Sequence, residues 1–252
     1  MFSYIIKNIL IEKGDINMTN FTEKQHMYDP EFTDLMDRFI FEETADSNNI
    51  DKKTRYLAIL AALIACQGGS KEYRQILPIA IDEGVTPVEA KEVLYQACAY
   101  LGLGRVYPFI DTTNEVFEKL GIKLPLEQQG TTDSENRREK GTEKQIELFG
   151  PNMKDFWKAS DINLFLADNC FGDYYTRNGL NNAQRELITF CYIAAQGGCE
   201  PQLIAHSMAN FKQGNSKEFL INIVSHLVPF LGYPRSLNAI AAVNKADENL
   251  NK

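Results

Sequence analysis

The chain has 252 residues, of which 44% are hydrophobic, and this length is enough for one or two domains with a buried core. Its formal net charge of −8 at pH 7 argues against a nucleic-acid partner, because such a partner requires a basic surface. Five cysteines at irregular spacings predict a reducing compartment without a disulfide framework, so we expect a cytoplasmic protein.

The N-terminal segment contains a short apolar run from Phe2 to Ile11. This run is too short to cross a bilayer, and no small-residue cleavage site follows it. Residues 1–17 are interpreted either as an upstream extension before a natural start at Met18, which we favour, or as a membrane-surface helix, whose strongly basic polar face they lack. We assign residues 1–28 to an N-terminal extension and expect no membrane association.

An internal repeat with a shift of 130 positions organises the rest of the chain. The shift superposes Arg55 on Arg185, Gly102 on Gly232, and Arg105 on Arg235. A period of this length indicates a duplicated domain, because solenoid repeats are much shorter. The repeats are predicted to span residues 29–126 and 143–252, and the polar, glycine-containing residues 127–142 are predicted to link them.

Helical spacing of apolar residues recurs in both repeats. In the first repeat it predicts helices over Pro30–Glu42, Lys53–Cys66, Glu72–Ile81, Pro87–Tyr100 and Val106–Leu120. In the second repeat it predicts helices near Glu143–Leu148, Met153–Asn169, Ala183–Gln196, Pro201–Lys212, Ser216–Leu231 and Pro234–Asn249. No segment alternates with the period of a strand, so the predicted fold is all-α.

Polar side chains are concentrated at one helix junction in the second repeat, between the helices predicted at Ala183–Gln196 and Pro201–Lys212. Asn181 and Gln184 can form a capping box at the start of the first helix, and Gly197 can end that helix. Pro201 fits the first turn of the next helix, where its missing N–H would have no intrahelical partner.

The junction can gather Arg185, Glu186, Cys199, Gln202 and His206. Gln202 and His206 are four residues apart and therefore share one helix face. Cys199 directly precedes a helix, where exposed backbone N–H groups favour a thiolate. From the residues alone, a lone helix histidine is more often structural, Glu186 can simply complement the helix dipole, and Cys199 can simply be a small residue at a junction.

The stretch from Arg185 to His206, RELITFCYIAAQGGCEPQLIAH, is followed by LGYPRSLNAI, and together they resemble the carboxymuconolactone decarboxylase family, which includes the alkylhydroperoxidase-D-like peroxidases. Two upstream segments, NRREKGTEKQIELFG and FGDYYTRNGL, resemble the decarboxylase branch in particular. The resemblance covers Asn136–Ala246 and implies two tandem helical bundles of the alkylhydroperoxidase-D-like type. Small helical subunits of this family assemble into trimers or hexamers, so the resemblance implies a homo-oligomer, namely a trimer of two-repeat chains.

The resemblance also implies roles for the junction residues. The matching histidine belongs to the family's active site, so His206 is predicted to donate or relay a proton and Glu186 to tune it. Arg185, Gln202 and Arg177 are predicted to bind the substrate, since a guanidinium can hold a carboxylate through two hydrogen bonds. The first repeat has Ile76 or Leu77 in the place of the histidine and is predicted to carry a degenerate site.

The predicted activity is cofactor-independent decarboxylation of a small carboxylated lactone or related acid, the reaction of a carboxy-lyase. The alternative is a thiol-dependent peroxidase, an antioxidant protein of peroxiredoxin type, that uses Cys199 and His206. Cys199 stands where the peroxidase signature C-x-x-C-x-x-x-H has its first cysteine, but Gln202 takes the place of the second. A third reading is a non-catalytic oligomeric binding protein. We expect neither a cofactor nor a metal, because zinc-type cysteine pairs, an HExxH motif and a glycine-rich phosphate loop are absent from the sequence.

Overall fold

The computed structural model describes residues 21–66 and 69–251. The apolar run from Phe2 to Ile11 and the candidate start at Met18 lie outside these residues. The described residues form helices joined by short loops, with no β-strand among them, which confirms the predicted all-α class. No helix within these two ranges is long and apolar enough to cross a membrane.

The first repeat follows its predicted helices closely. Helix α1 (Glu23–Tyr28) lies in the N-terminal extension. The elements of the first repeat are α2 (Pro30–Arg38) with a π-helical continuation (Phe39–Glu43), α3 (Lys52–Ala65), α4 (Ser70–Asp82), α5 (Pro87–Leu101) and α6 (Leu103–Lys119). Thr86 and Glu89 form a capping box at the start of α5. Gly102 then has a φ of 78°, a conformation that favours glycine and allows α5 and α6 to join without an intervening loop.

The second repeat differs from prediction in its first third. Its elements are α7 (Arg137–Phe149), short 3₁₀ turns at Pro151–Met153 and Phe156–Lys158, α8 (Asp161–Phe165) with a π-helical segment (Leu166–Tyr175), α9 (Asn182–Gln196), α10 (Glu200–Lys212), α11 (Lys217–Leu231) and α12 (Tyr233–Leu250). The single helix predicted over Met153–Asn169 is wrong, because Ser160 accepts a hydrogen bond from the backbone N–H of Asn163 and starts a new helix there. Helix α7 begins at Arg137, inside the predicted linker.

The equivalent helices α3 and α9 pack against each other at the centre of the molecule. Residues 55–65 of α3 and 185–195 of α9 are all buried. A helix that is buried on every side must be surrounded by other helices. Here each repeat supplies some of the helices that surround the central helix of the other repeat. One contiguous apolar core therefore runs through both repeats.

Two buried arginines cross between the repeats at equivalent positions. Arg185 of α9 donates from Nη1 to Oε1 of Gln96 in α5, at 2.8 Å. Arg55 of α3 donates from Nε to Nδ1 of His226 in α11, at 3.3 Å. Gln96 and His226 are themselves 130 positions apart, so the two contacts are copies of one another. Each repeat thus contacts the other through an arginine at the equivalent position.

The environment of His226 keeps its ring neutral. Nδ1 accepts a hydrogen bond from Arg55, and Nε2 lies 2.9 Å from the side-chain oxygen of Asn48. Burial, with the positive charge of Arg55 as a second cause, lowers the pKa of His226 from 6.5 to about 4.

Helix α7 packs on the π-helical segment through two glycines. A Cβ atom at Gly141 would lie 1.9 Å from the backbone oxygen of Ala167, and a Cβ atom at Gly172 would lie 2.3 Å from the backbone oxygen of Arg137. Because the atoms in the way belong to the backbone, only the absence of a side chain permits this close approach.

Replacing Gly141 by alanine is expected to lower the free energy of unfolding by at least about 2 kcal/mol, since the backbone of the π-helical segment must shift. Gly104→Ala in α6 is the matched control, because a Cβ there meets nothing within 4 Å, and it should be neutral or stabilising by up to about 1 kcal/mol. Urea denaturation followed by circular dichroism measures both. Equal unfolding midpoints for the two variants would contradict the proposed packing.

The pKa of His226 predicts how stability depends on pH. In the folded chain this pKa lies below the unfolded value, so its contribution to stability is complete above about pH 6.5 and is lost as the pH falls toward 4. His226→Gln should flatten the stability profile between pH 6.5 and 4. Unfolding midpoints across this pH range provide the measurement, and an unchanged slope in His226→Gln would contradict the assignment.

Candidate active site

His206 and Glu186 form a buried pair at the helix junction. Nδ1 of His206 lies 2.7 Å from Oε2 of Glu186, and the two residues are 8% and 0% exposed. Asn210, one turn after His206 in α10, donates to the backbone oxygens of both residues at 2.9 and 2.8 Å. This side chain ties α10 to α9 and fixes the position of the pair.

A cavity of about 480 Å³ adjoins His206. The rings of Tyr100 and Phe149 meet the imidazole edge-on, with centroid distances of 5.5 and 5.4 Å. Most of the remaining lining is apolar, and its other side chains with an amide or a thiol are Cys170, Gln196, Cys199 and Gln202. The cavity therefore combines a few polar groups with apolar walls, which is typical of small-molecule sites.

The hydrogen bond to Glu186 determines which nitrogen of His206 can act. Because Nδ1 faces the carboxylate, Nε2 is the nitrogen left for a molecule in the cavity. A neutral ring held in this way presents a lone pair at Nε2, and a protonated ring presents an N–H there. The pair can therefore accept or donate a proton at one defined atom.

Cys199 and Gln202 lie on the same cavity as His206, as the junction predicted. Nε2 of Gln196 lies 3.2 Å from the sulfur of Cys199, and Arg105 of the first repeat donates to Oε1 of Gln196 at 2.9 Å. These contacts orient the amide of Gln196 and hold the start of α10 against the first repeat.

The two arginines predicted to bind substrate lie away from this cavity. Arg185 donates to Glu92 at 3.1 Å and to the backbone oxygens of Arg177 and Asn178, and both Arg185 and Glu92 have side chains that are 1% exposed. Arg177 contacts the same carboxylate at 3.0 Å. Neither arginine is among the described residues that line the His206 cavity. Their roles as substrate ligands stay predictions.

The first repeat contributes a wall to the site, and the sequence analysis did not identify it. A buried chain of hydrogen bonds joins the hydroxyls of Tyr100, Tyr175 and Thr189 at 2.9 and 2.8 Å, and Gln96 donates to Thr189 at 2.9 Å. Burial raises the pKa of Tyr100 and Tyr175 well above the usual value, so both hydroxyls stay neutral. The available signal was the pair Gln96 and Tyr100, four residues apart in the mostly apolar second half of the predicted helix.

Four cysteine thiols have pKa values raised by burial, namely Cys66, Cys98, Cys170 and Cys191, and that of Cys170 rises to about 12. Within the described ranges, no group of three or more His, Cys, Asp or Glu side chains is arranged to hold a metal ion. The chemistry that the cavity offers through these residues is proton transfer at His206 and thiol chemistry at Cys199.

Comparison with known proteins supports the predicted resemblance. The model of the carboxymuconolactone decarboxylase family matches the chain twice, over residues 30–107 and 161–245, which confirms the tandem repeat. A 4-carboxymuconolactone decarboxylase of Acinetobacter baylyi (strain ATCC 33305 / BD413 / ADP1) is 28% identical over 109 residues, which make up 43% of this chain and 81% of that protein. A crystal structure at 1.70 Å, provisionally described as a gamma-carboxymuconolactone decarboxylase subunit from Burkholderia xenovorans LB400, matches with a TM-score of 0.56 and 18% identity and covers 99% of this chain and 98% of that chain. At that identity the structural likeness concerns the fold.

Thiol labelling tests the placement of the cysteines. Iodoacetamide at pH 8 should modify the partly exposed Cys199, Cys66 and Cys98 in the folded chain. Cys170 and Cys191 should react only after unfolding. Peptide mass spectrometry over a time course gives the order, with the urea-unfolded chain as the control for complete labelling. Early labelling of Cys191 would contradict the structure.

Proposed function

The chain belongs to the carboxymuconolactone decarboxylase family, and on this basis we propose that it decarboxylates a small carboxylated lactone or a related acid without a cofactor. The observation that carries the proposal is the pair of His206 and Glu186 on an apolar cavity bounded by both repeats. A positioned acid–base pair next to an apolar cavity is what the reaction requires.

Departure of carbon dioxide from a carboxylated lactone leaves its electron pair in the ring as a dienolate, one carbon of which then takes a proton. We assign that proton to Nε2 of His206, while Glu186 orients the ring and stabilises its charged form. The walls formed by Tyr100 and Phe149 favour the reaction, because a delocalised anion and neutral carbon dioxide depend less on water than a localised carboxylate does.

Gln202 and the arginines have different places in this proposal. Gln202 lines the cavity one turn before His206, and its amide can donate to the oxygen on which the dienolate charge accumulates. Arg185 and Arg177 both pair with Glu92, so we propose that they act on the site by fixing α5, which carries Tyr100.

The second candidate is a thiol-dependent peroxidase, favoured by the position of Cys199 on the same cavity as His206. Peroxide would oxidise Cys199 to a sulfenic acid, and two equivalents of an external thiol would return it to the thiol. An external thiol is needed because Gln202 stands in the place of a resolving cysteine. A non-catalytic binding protein is the third candidate, and the open cavity is compatible with it.

We also propose a homo-oligomer of two-repeat chains, a trimer by family analogy, in the cytoplasm. Exposed apolar side chains occur at equivalent positions in the first turns of α6 and α12. They are Leu103 and Tyr233, and Tyr107 and Leu237, with 57–67% of each side chain exposed. Both repeats expose an apolar pair at the equivalent position. This supports an oligomer in which each repeat makes the equivalent contact with a neighbouring chain.

Turnover of 4-carboxymuconolactone tests the decarboxylase proposal. His206→Ala should lower kcat by about 10²–10⁴-fold because the proton donor is lost, and Glu186→Gln should lower it by about 10–100-fold because the ring loses its charged partner. Cys199→Ser is the control and should retain the wild-type rate. Loss of the lactone as substrate is followed by absorbance, and the folded state of each variant by circular dichroism.

The same proteins assayed with hydrogen peroxide and dithiothreitol separate the candidates. Peroxide consumption that disappears in Cys199→Ser, together with no lactone turnover, would replace the decarboxylase proposal with the peroxidase. Inactivity of the wild type on both substrates would favour a binding protein.

A further inference from the structure

A second cavity, of about 580 Å³, lies between α5, α6 and the linker segment 124–130. It shares no lining residue with the His206 cavity among the described residues. Both cavities adjoin α5, where Glu92 lines one and Tyr100 the other, and eight residues of helix separate these positions by roughly 12 Å. The two cavities are therefore distinct, although the same helix lines both.

Its inner wall carries two cations beside one aromatic ring. Nζ of Lys91 lies 5.9 Å from the ring centroid of Tyr95, and Cζ of Arg177 lies 5.4 Å from the same centroid. Both charges therefore flank the ring of Tyr95, and all three residues line the cavity. Cations over an aromatic ring gain only part of the stabilisation that a full ion pair provides.

Lys91 is a buried cation whose partners are neutral. The residue is 6% exposed, and Nζ donates to the side-chain oxygen of Asn114 at 2.6 Å and lies 5.7 Å from the ring centroid of Phe117. No carboxylate of the described residues is within ion-pair distance of this nitrogen. Burial lowers the pKa of Lys91, as expected for an ammonium that has lost water without gaining an anion. An anion in the cavity would supply the missing partner.

Arg177 adds a second charge that is only partly neutralised. Its Nε and Nη2 contact Glu92, and Arg185 contacts the same carboxylate, so one negative charge serves two guanidinium groups. Of these three residues, Arg177 and Glu92 line the cavity and their formal charges cancel, so the buried wall carries the net charge of about +1 that Lys91 supplies. Nη1 of Arg177 is not used by Glu92, and it lies 3.7 Å from where a Cβ of Gly130 would be, beside the linker.

The rest of the lining favours an organic anion. Val88, Ile110, Leu124 and Leu126 supply apolar surface next to the cations. Glu118 and Glu127 also line the cavity, but both are exposed, where water and salt screen their charges. Lys91 thus lies on the buried wall without a carboxylate partner among the described residues, the buried Glu92 is shared by two arginines, and the other two carboxylates lie at the exposed rim.

We propose that this cavity binds a small organic carboxylate, held by Lys91 and Arg177, with its apolar part against Ile110 and Leu124. The site does not depend on the decarboxylase proposal, because none of its residues lines the His206 cavity. A carboxylate fits better than inorganic phosphate, since phosphate would leave the apolar part of the lining without a partner.

Calorimetric titration of the full chain with sodium benzoate tests the proposal. Asn114→Asp places a carboxylate next to Nζ of Lys91 and neutralises it in place, so benzoate binding should weaken at least about tenfold. This variant gains an ion pair and is expected to fold. Lys91→Met removes the ammonium and should weaken binding to a similar extent. Lys123→Met is the matched control, because it makes the same change in net charge at an exposed position outside the lining and should leave affinity unchanged within about twofold.

His206→Ala separates the two cavities and should leave benzoate binding unchanged. Binding that survives Asn114→Asp and Lys91→Met but disappears in His206→Ala would overturn the proposal and place benzoate next to His206. Absence of binding by the wild type at about 10 mM benzoate would also overturn it. Inorganic phosphate that binds as tightly as benzoate would overturn the choice of an organic anion. None of these outcomes depends on whether the chain turns over a lactone.

Discussion

The buried ion pair between Glu92 and Arg185 is the interaction on which the candidate site depends. Both side chains are 1% exposed, so removal of Glu92 would leave the charge of Arg185 buried without a carboxylate, a loss that typically costs about 3–5 kcal/mol. Arg185 directly precedes Glu186 in α9, and Glu92 lies two turns before Tyr100 in α5. The Glu92–Arg185 ion pair therefore fixes the position of Glu186, the partner of His206, relative to Tyr100 in the cavity wall.

Duplication gives this arrangement its asymmetry. The first repeat has Tyr56 in the place of Glu186, and the second has Asn222 in the place of Glu92. Arg55, the counterpart of Arg185, donates instead to the backbone oxygen of Ile40 and to His226. The second repeat thus carries the acid–base pair. The first repeat fixes the position of that pair and forms one wall of the cavity. Neither repeat contains the whole site.

Local signals predicted the elements well. The capping boxes at Thr86 and Asn181 both form, and Gly102 and Gly232 both end helices with positive φ. The contacts between repeats could not be predicted, because Arg185 meets Glu92 across 93 positions of sequence and leaves no local pattern. Arg185 and Arg177 were predicted as substrate ligands from their charge alone, because the sequence does not show that both pair with Glu92. The segment Met153–Asn169 was predicted as one helix because apolar spacing does not reveal that Ser160 caps a new helix at Asp161.

The most direct test of the account is a crystal structure of the His206→Asn variant soaked with 4-carboxymuconolactone, which this variant should bind without turnover. The account predicts the lactone ring between Tyr100 and Phe149, with one ring carbon within about 3.5 Å of the side chain at position 206. A lactone bound elsewhere on the chain, with this cavity empty, would contradict the assignment of His206 and Glu186 as the reactive pair.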